Sequence, residues 1–156
     1  MKTDRSVIAI DPGYDRLGIA VFSHERTLVH SECFTPETGV FAERLLAIRN
    51  RIRELALAHK PHALALETLF FSKNQKTALK VAEARGVIVV TAAELSLPIF
   101  EYSPQEVKIA VSGHGSADKG SVIKMVERLV SLAPRKRQDD EYDAIAVGLA
   151  HQASVR

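Results

Sequence analysis

Two apolar segments of the chain each end in a carboxylate, and this placement suggests chemistry. Residues 7–10 lead directly into Asp11, and residues 63–66 lead directly into Glu67. An acid at the end of a buried strand has no structural use there, because desolvating an unpaired charge costs several kcal/mol. We therefore interpret both acids as candidates for holding a cation or taking part in a reaction.

Two further acids, Asp140 and Asp143, stand three positions apart near the C-terminus. On a helix this spacing puts both side chains on one face, with Cβ atoms about 5–6 Å apart. With the strand-end acids they could hold two divalent cations roughly 3.5–4 Å apart, which clamp the attacking and leaving oxygens of a phosphodiester. Oxygen ligands in a chain with one cysteine favour Mg²⁺, with Mn²⁺ as a substitute, over zinc.

Each acid, taken alone, also has a simpler interpretation. Asp11 precedes Pro12 and Gly13 and could be a turn residue. The acids within residues 139–143 could stabilise a helix N-terminus through the helix dipole. Glu67 is harder to explain by structure alone, since four apolar residues come before it. The combination of all four acids is what favours a metal site.

The first half of the chain predicts a meander of strands followed by a helix and a strand. Residues 6–11, 17–23 and 27–34 are typical of three antiparallel strands. Residues 40–58 change to helical periodicity, and residues 63–67 form a strand that should run parallel to a neighbour after the helical crossover. One apolar stripe marks the helix: Phe41, Leu45, Ile48, Ile52 and Leu55.

The second half predicts mainly helices. Residues 74–94 form a helix that we expect to loosen near Gly86, because residues 87–90 favour strand. Residues 98–102 form the next strand. A final helix should run from near Asp139 to near His151.

Two more helices should lie between that strand and the final helix. Ser103 and Glu106 form a capping box that starts the first, and residues 113–115 end it. Ser116 could cap the second. Four of its side chains should face inward: Val122, Met125, Val126 and Leu129.

These elements predict an α/β fold, with a mixed central sheet of about five strands flanked by helices, in a single domain over residues 1–156. The net charge is +2, and four basic clusters permit nucleic-acid binding. We expect no signal peptide and no membrane span, since no apolar run reaches ~18 residues. A lone cysteine suits the cytoplasm. The clusters are residues 44–53, 73–80, 108–124 and 135–137.

Six segments, in this order, resemble the RuvC family of Holliday-junction resolvases, and the resemblance covers nearly the whole chain, roughly residues 6–151. One such segment would be a weak signal, whereas six with ordinary spacing are a strong one. They are Ile8-Ala9-Ile10-Asp11-Pro12-Gly13, Glu67-Thr68-Leu69-Phe70 with Lys73-Asn74, Ala84-Arg85-Gly86, Val107-Lys108, Gly113-His114-Gly115-Ser116-Ala117-Asp118-Lys119 and Asp140-Glu141-Tyr142-Asp143-Ala144.

The resemblance implies a ribonuclease-H-like fold and a homodimer that nicks two opposed strands of a four-way DNA junction. It also implies two Mg²⁺ ions per active site, cleavage to 5′-phosphate and 3′-hydroxyl ends, and delivery of the substrate by a RuvA–RuvB complex as one option. Site residues follow by position: catalytic and metal-binding Asp11, Glu67, Asp140 and Asp143; catalytic Lys119; base-stacking Phe70; and DNA-binding Lys73, Asn74, Lys108 and Lys119.

The chain departs from the family pattern between its last two acids. Glu141 and Tyr142 stand where small residues are common, and Asp139 adds another acid. Asp139 or Glu141 could therefore share the metal site, so Asp143 is a firmer ligand than Asp140. Residues 76–85 are our candidate dimer interface.

Two other functions compete with junction cleavage. An actin-like or sugar-kinase-like ATP-binding domain shares the strand–Asp–Gly opening, but such proteins need two domains of this kind and a longer chain. A non-catalytic junction-binding protein would keep Phe70 and the basic clusters without needing all four acids. Neither the preferred cleavage sequence nor the strictness for four-way junctions is predicted.

Overall fold

A five-stranded mixed sheet lies between two layers of helices in the computed structural model, which describes residues 4–37, 39–69 and 75–155. The strand order is β3-β2-β1-β4-β5; β1, β2 and β3 form an antiparallel meander, and β1, β4 and β5 run parallel. The predicted fold class is confirmed. The strands are β1 (Val7–Asp11), β2 (Leu17–Phe22), β3 (Leu28–Phe34), β4 (Ala63–Glu67) and β5 (Ile99–Tyr102).

Five helices cover the two faces of this sheet. The first two helices pack on one face and the other three on the opposite face. Each of these two layers covers its own apolar cluster. Within the described ranges, no helix combines the length and hydropathy that a bilayer crossing requires. The helices are α1 (Phe41–His59), α2 (Gln75–Glu94), α3 (Pro104–Ser112), α4 (Lys119–Leu129) and α5 (Asp139–Ser154).

The alternation of side chains along the strands aims both strand-end acids at the same face. Ile10 of β1 and Leu66 of β4 are register partners, and both pack toward α1 and α2. Because successive residues of a strand point to opposite faces, Asp11 and Glu67 point to the face covered by α5. The parallel register also makes these two acids neighbours at the carboxyl ends of adjacent strands.

Helix α5 lies so close to the sheet that two glycines are required at the contact. A Cβ added at Gly18 of β2 would overlap the carbonyl oxygen of Asp140, in the first turn of α5. A Cβ added at Gly148 would lie 2.6 Å from the Cδ2 atom of Phe22 and 3.4 Å from Cβ of Ala9. The small side chains on this face let α5 approach β1 and β2 almost backbone to backbone.

The expected loosening of the α2 helix near Gly86 is wrong, because the helix runs without interruption to Glu94. Ala84, Ile88 and Ala92 are buried at a spacing of four, so the apolar stripe keeps helical periodicity through the segment with strand propensity. Tertiary packing outweighs the intrinsic preference of the valines, as it often does for short apolar runs.

Two expectations for α4 are also wrong. Asp118, and not Ser116, caps the helix, and its carboxylate accepts a 2.7 Å hydrogen bond from the Ser121 amide. Leu129 is exposed, whereas Val122 and Val126 are buried as expected. The capping box that starts α3 is confirmed: the Ser103 amide donates to Glu106, and the Glu106 amide donates to the Ser103 hydroxyl.

Replacement of Gly148 by alanine should destabilise the protein by about 1–3 kcal/mol, because the new methyl group overpacks the contact with Phe22. Chemical denaturation monitored by circular dichroism measures the free energy of unfolding. The matched control is Gly120→Ala in α4, where the nearest atom to the new Cβ would lie 3.5 Å away. That substitution should be neutral or stabilising. Equal stability of Gly148→Ala and the wild type would contradict the close approach of α5.

Candidate active site

Three of the four predicted acids converge where β1 ends and α5 begins. One carboxylate oxygen from each of Asp11, Asp140 and Asp143 lies within 4.8 Å of the others. Glu67 comes from the end of β4 and shares a hydrogen bond with Asp11. The structure therefore places all four acids at one edge of the sheet, on the face that α5 covers.

Burial and mutual repulsion make these acids hard to ionise together. Burial raises the pKa of Asp11 to about 9, and the neighbouring carboxylates of Glu67, Asp143 and Asp140 add to the increase. Burial also raises the pKa of Glu67, and the charge of Asp143 contributes, against the lowering effect of its hydrogen bond with Asp11. Burial likewise raises the pKa of Asp143, more than Lys119 lowers it. Nearby lysines lower the pKa values of Glu67 and Asp143, but they offset burial and repulsion only in part.

The chemistry of the donor set fits a hard divalent cation. Several carboxylate oxygens in a partly desolvated cluster are the ligands that Mg²⁺ and Mn²⁺ prefer. A divalent cation would also relieve the repulsion that raises these pKa values, since binding requires the deprotonated acids. By this test Asp11, Glu67, Asp140 and Asp143 could hold the expected metal.

Two basic side chains pair with different acids of the site. The Nζ atom of Lys119 lies 3.3 Å from Asp139 and 3.4 Å from Asp143. Burial opposes the charged form of Lys119, but these carboxylates outweigh it and raise its pKa, so the lysine stays protonated. The Nε atom of Arg16 donates to Asp140 at 2.5 Å. Arg16 did not stand out in the sequence, where it lies in the turn after Asp11 with no motif of its own.

Two of the predicted DNA-binding lysines, Lys108 and Lys119, line a cavity of about 260 Å³ that opens beside the acids. Lys108 projects from α3 and Lys119 from the start of α4, while Glu67 and Asp143 form the acidic side. Asp118 and five apolar residues complete the lining: Pro104, Val107, Ala117, Val122 and Ala146. Basic, acidic and apolar groups thus meet at a single concave surface.

The two alternative acids of α5 do not join the cluster. Glu141 is buried, with 2% of its side chain exposed, and faces β3. The Ser31 hydroxyl donates to it at 2.6 Å and the Arg135 guanidinium also donates to it, while Arg137 lies 3.3 Å away. Asp139 is exposed and pairs with Lys119.

This network also changes the interpretation of the basic segment 135–137. Arg135 and Arg137 face Glu141, and the side chain of Arg137 is almost fully buried. The two arginines therefore neutralise an internal acid. Lys136 lies outside this network and remains for an external anion.

Arg44 holds the turn between β1 and β2, a role that the sequence did not reveal. Its guanidinium donates to the carbonyl oxygens of Tyr14, Asp15 and Pro36 at 3.2, 3.0 and 3.3 Å. A single side chain of α1 thus fixes the turn that carries Arg16. In the sequence Arg44 was only part of a basic cluster.

The predicted base-stacking and adjacent DNA-binding residues lie outside the described part of the chain. Phe70, Lys73 and Asn74 fall between Leu69, the last described residue after β4, and Gln75, the first residue of α2. Their assigned roles stay predictions.

Comparisons with known proteins agree on one family. The sequence profile described as "Crossover junction endodeoxyribonuclease RuvC" matches residues 7–151. The protein of that name from Moorella thermoacetica is 43% identical over 149 residues, which cover 93% of this chain and 89% of the relative. Its counterpart from Syntrophomonas wolfei is 37% identical over 154 residues, covering 96% and 90%.

A solved structure extends the likeness to three dimensions. The structure of "T. thermophilus RuvC in complex with Holliday junction substrate" is similar with a TM-score of 0.86 and 33% sequence identity. The match covers 94% of this chain and 92% of that chain. The expected ribonuclease-H-like fold is confirmed.

Without metal, the protein should become less stable as the pH rises from about 6.5 to 8.5. The pKa values of Asp11, Glu67 and Asp143 are higher in the folded than in the unfolded protein. The stability that these protonated acids contribute is therefore fully present below the unfolded pKa near 4, and it is lost as the pH rises toward the folded-state values. Thermal melts in EDTA across this range measure the effect. Glu32, whose pKa is lowered to about 2, affects the stability only at more acidic pH.

The variant Asp11→Asn should flatten this dependence and melt at a higher temperature than the wild type at pH 8 in EDTA. Mn²⁺ should raise the melting temperature of the wild type more than that of the variant, since the variant lacks one ligand. Asp15→Asn, at an exposed position in the following turn, is the control. A destabilised Asp11→Asn protein in EDTA would mean that the acid has a structural role.

Proposed function

The chain belongs to the RuvC family of crossover junction endodeoxyribonucleases, and we propose that it resolves four-way DNA junctions by paired, metal-dependent nicks. The observation that carries the proposal is that carboxylate oxygens of Asp11, Asp140 and Asp143 lie within 4.8 Å of one another. Glu67 shares a hydrogen bond with Asp11. Such a cluster destabilises the metal-free protein. Its position next to basic side chains is explained by a reaction on a phosphodiester.

We assign the four acids as ligands of two Mg²⁺ ions, which Mn²⁺ could replace. When bound, such ions supply a hydroxide nucleophile and stabilise the attacking and leaving oxygens of a phosphodiester. The carboxylates can orient the ions because the carboxylates themselves are attached to rigid backbone, at two strand ends and in the first turns of a helix. Cleavage then leaves a 5′-phosphate and a 3′-hydroxyl.

Lys119 and Lys108 act on the DNA at the same place. Lys119 keeps its proton because of the nearby Asp143 and Asp139, so it can offer a positive charge to the non-bridging oxygens of the scissile phosphate. Lys108, on α3, lines the same cavity and can neutralise phosphate charge there. The apolar residues of the lining suit the sugar face of the backbone.

The segment after β4 supplies the contact with the junction centre in this proposal. Phe70 stacks on an unpaired base, an interaction worth about 1–3 kcal/mol in single-strand binders. Lys73 and Asn74 contact the adjoining backbone. The resemblance to the family supports these roles, and β4 leads directly from the catalytic Glu67 into this segment.

Two symmetric nicks need two active sites, so we propose a homodimer that pairs through α2. The helix is apolar on both sides: Ala84 and Ile88 are buried, whereas Leu79 and Val90 are 65% and 59% exposed. An exposed apolar stripe at helical spacing marks a protein contact more often than a solvated face. The stripe continues past residues 76–85 and consists of Leu79, Ala82, Gly86, Val90 and Ala93.

Three further parts of the proposal do not depend on the geometry of the site. The chain acts as a single nuclease domain over residues 1–156, it works in the cytoplasm, and a RuvA–RuvB branch-migration complex delivers the junction to it.

Asp143→Asn should abolish junction cleavage, with a loss of at least about a thousandfold, and leave junction binding within a fewfold of the wild type. The change removes a ligand and also relieves repulsion among the acids. Labelled four-way junctions and linear duplex, incubated with and without Mg²⁺, report nicking, and gel shifts report binding.

Asp15→Asn is the matched control, because Asp15 is exposed and outside the cluster; it should keep cleavage within about threefold. A wild type that binds junctions and makes no paired nicks would instead be the non-catalytic junction-binding protein. Loss of binding in Asp143→Asn would identify a structural acid.

Leu79→Glu should convert the dimer to a monomer, since it puts a charge into the exposed stripe of α2. Leu129→Glu in α4 makes the same change at an exposed leucine (53%) on the opposite layer and should leave the assembly unchanged. Sedimentation velocity distinguishes the two species. A dimeric Leu79→Glu variant would place the interface elsewhere.

A further inference from the structure

We propose that Arg16 competes with the divalent cation for Asp140 and, once displaced, binds a DNA phosphate next to the scissile one. The inference rests on the proposed function and extends it: Arg16 becomes a positioning residue that couples metal binding to DNA binding. The Arg16 side chain has two states in this proposal: it pairs either with Asp140 or with a DNA phosphate.

The first support is the contact itself. The Nε atom of Arg16 donates to the Oδ2 atom of Asp140 at 2.5 Å. Asp140 is also one of the three acids whose oxygens could share a cation. A divalent ion that takes this carboxylate withdraws the negative charge that holds the guanidinium, so the ion pair and the metal site oppose each other.

The second support is that the backbone at both ends of the pair is fixed. Arg44 holds the turn through the carbonyl oxygens of Tyr14 and Asp15. The backbone of Asp140 lies directly on Gly18, which leaves no space for even a Cβ atom. Any separation of Arg16 from Asp140 must therefore occur by side-chain rotation, which is fast and needs no change of fold.

The third support is where the guanidinium would go. The Arg16 side chain is 49% exposed, so its donors already reach the solvent beside the cluster. Lys119 contacts Asp139 and Asp143, so the two cations serve different acids. Arginine binds phosphate through a planar fork of donors. DNA lying across the acids would bring a phosphate within reach of Arg16 in the β1–β2 turn.

Coupling of this kind is reciprocal. If metal binding frees Arg16 for DNA, then DNA that captures Arg16 raises the affinity for the metal by the same factor. Metal-free protein would therefore bind junctions with one fewer phosphate contact. The divalent cation and the DNA would each strengthen the binding of the other.

The first experiment measures Mn²⁺ binding without DNA, by calorimetry or by the electron paramagnetic resonance signal of free Mn²⁺. Arg16→Gln should bind Mn²⁺ about two- to fivefold more tightly than the wild type, the range expected for losing a half-exposed ion pair. Arg16→Lys keeps a competing cation and should stay near the wild type.

Arg49→Gln is the control, because Arg49 pairs with Glu94 at 3.2 Å, has a similar exposure and lies far from the acids, between α1 and α2; it should leave Mn²⁺ affinity unchanged. Weaker or equal Mn²⁺ binding in Arg16→Gln would overturn the proposal, since Arg16 would then orient Asp140 or have no effect on it.

The second experiment measures the affinity for a four-way junction against salt concentration, in EDTA and in Ca²⁺, with intact DNA checked on a denaturing gel. Ca²⁺ serves as a carboxylate-bound ion with flexible oxygen coordination. The wild type in Ca²⁺ should show a log–log slope steeper than that of Arg16→Gln by about 0.9, the value for one phosphate contact. In EDTA the two slopes should agree.

A slope difference of equal size in EDTA, or none in Ca²⁺, would overturn the coupling. Junction cleavage by the same wild-type preparation in Mg²⁺ tests the proposed function separately. An inactive wild type would refute the nuclease assignment, whereas an active one with uncoupled Arg16 refutes only this inference.

Discussion

The close packing of α5 on the sheet is the contact on which the site depends. Gly18 lets the carbonyl of Asp140 lie on β2, and Gly148 lets the middle of the helix lie against Phe22. These two contacts set the distance of α5 from the sheet and its direction across β1 and β2. Since Asp140 and Asp143 occupy its first two turns, the same contacts set where their carboxylates meet Asp11. Two glycines far apart in sequence thus determine the geometry of an acidic cluster to which they contribute no side chain.

Bringing the acids together costs stability, and a second, buried network at the same helix end offsets part of that cost. Glu141, between the two acids, turns to the opposite side and is enclosed by Ser31, Arg135 and Arg137. Burial opposes the ionised form of Glu141, but these donors outweigh it and lower its pKa. Removing one partner of such a buried pair typically costs about 3–5 kcal/mol. The first turn of α5 is therefore held to β3 on one side while repulsion strains it on the other.

Local sequence signals predicted most of the fold because most of its elements are locally encoded. The antiparallel meander, the stripe of α1 and the capping box at Ser103 all follow from short-range periodicity and hydrogen bonding. The failure in α2 occurred where distant contacts decide. The valines after Gly86 favour strand by themselves, but burial of Ile88 and Ala92 against the sheet keeps them helical. Asp118 displaced Ser116 as a cap because an ionised oxygen is the stronger acceptor for a helix amide.

The sequence by itself determined the kinds of residue at the site and their local placement: acids at two strand ends, and two more on one helical face. It also determined the family, through motifs in order along the chain. The choice among the acids of residues 139–143 required the tertiary structure, because Asp140 and Glu141 are adjacent in the sequence and point to opposite sides of α5. It also decided the partners of these acids, since Arg16 and Asp140 are 124 residues apart. Pairing at such separation depends on how the helix packs on the sheet, and no local pattern encodes that distance.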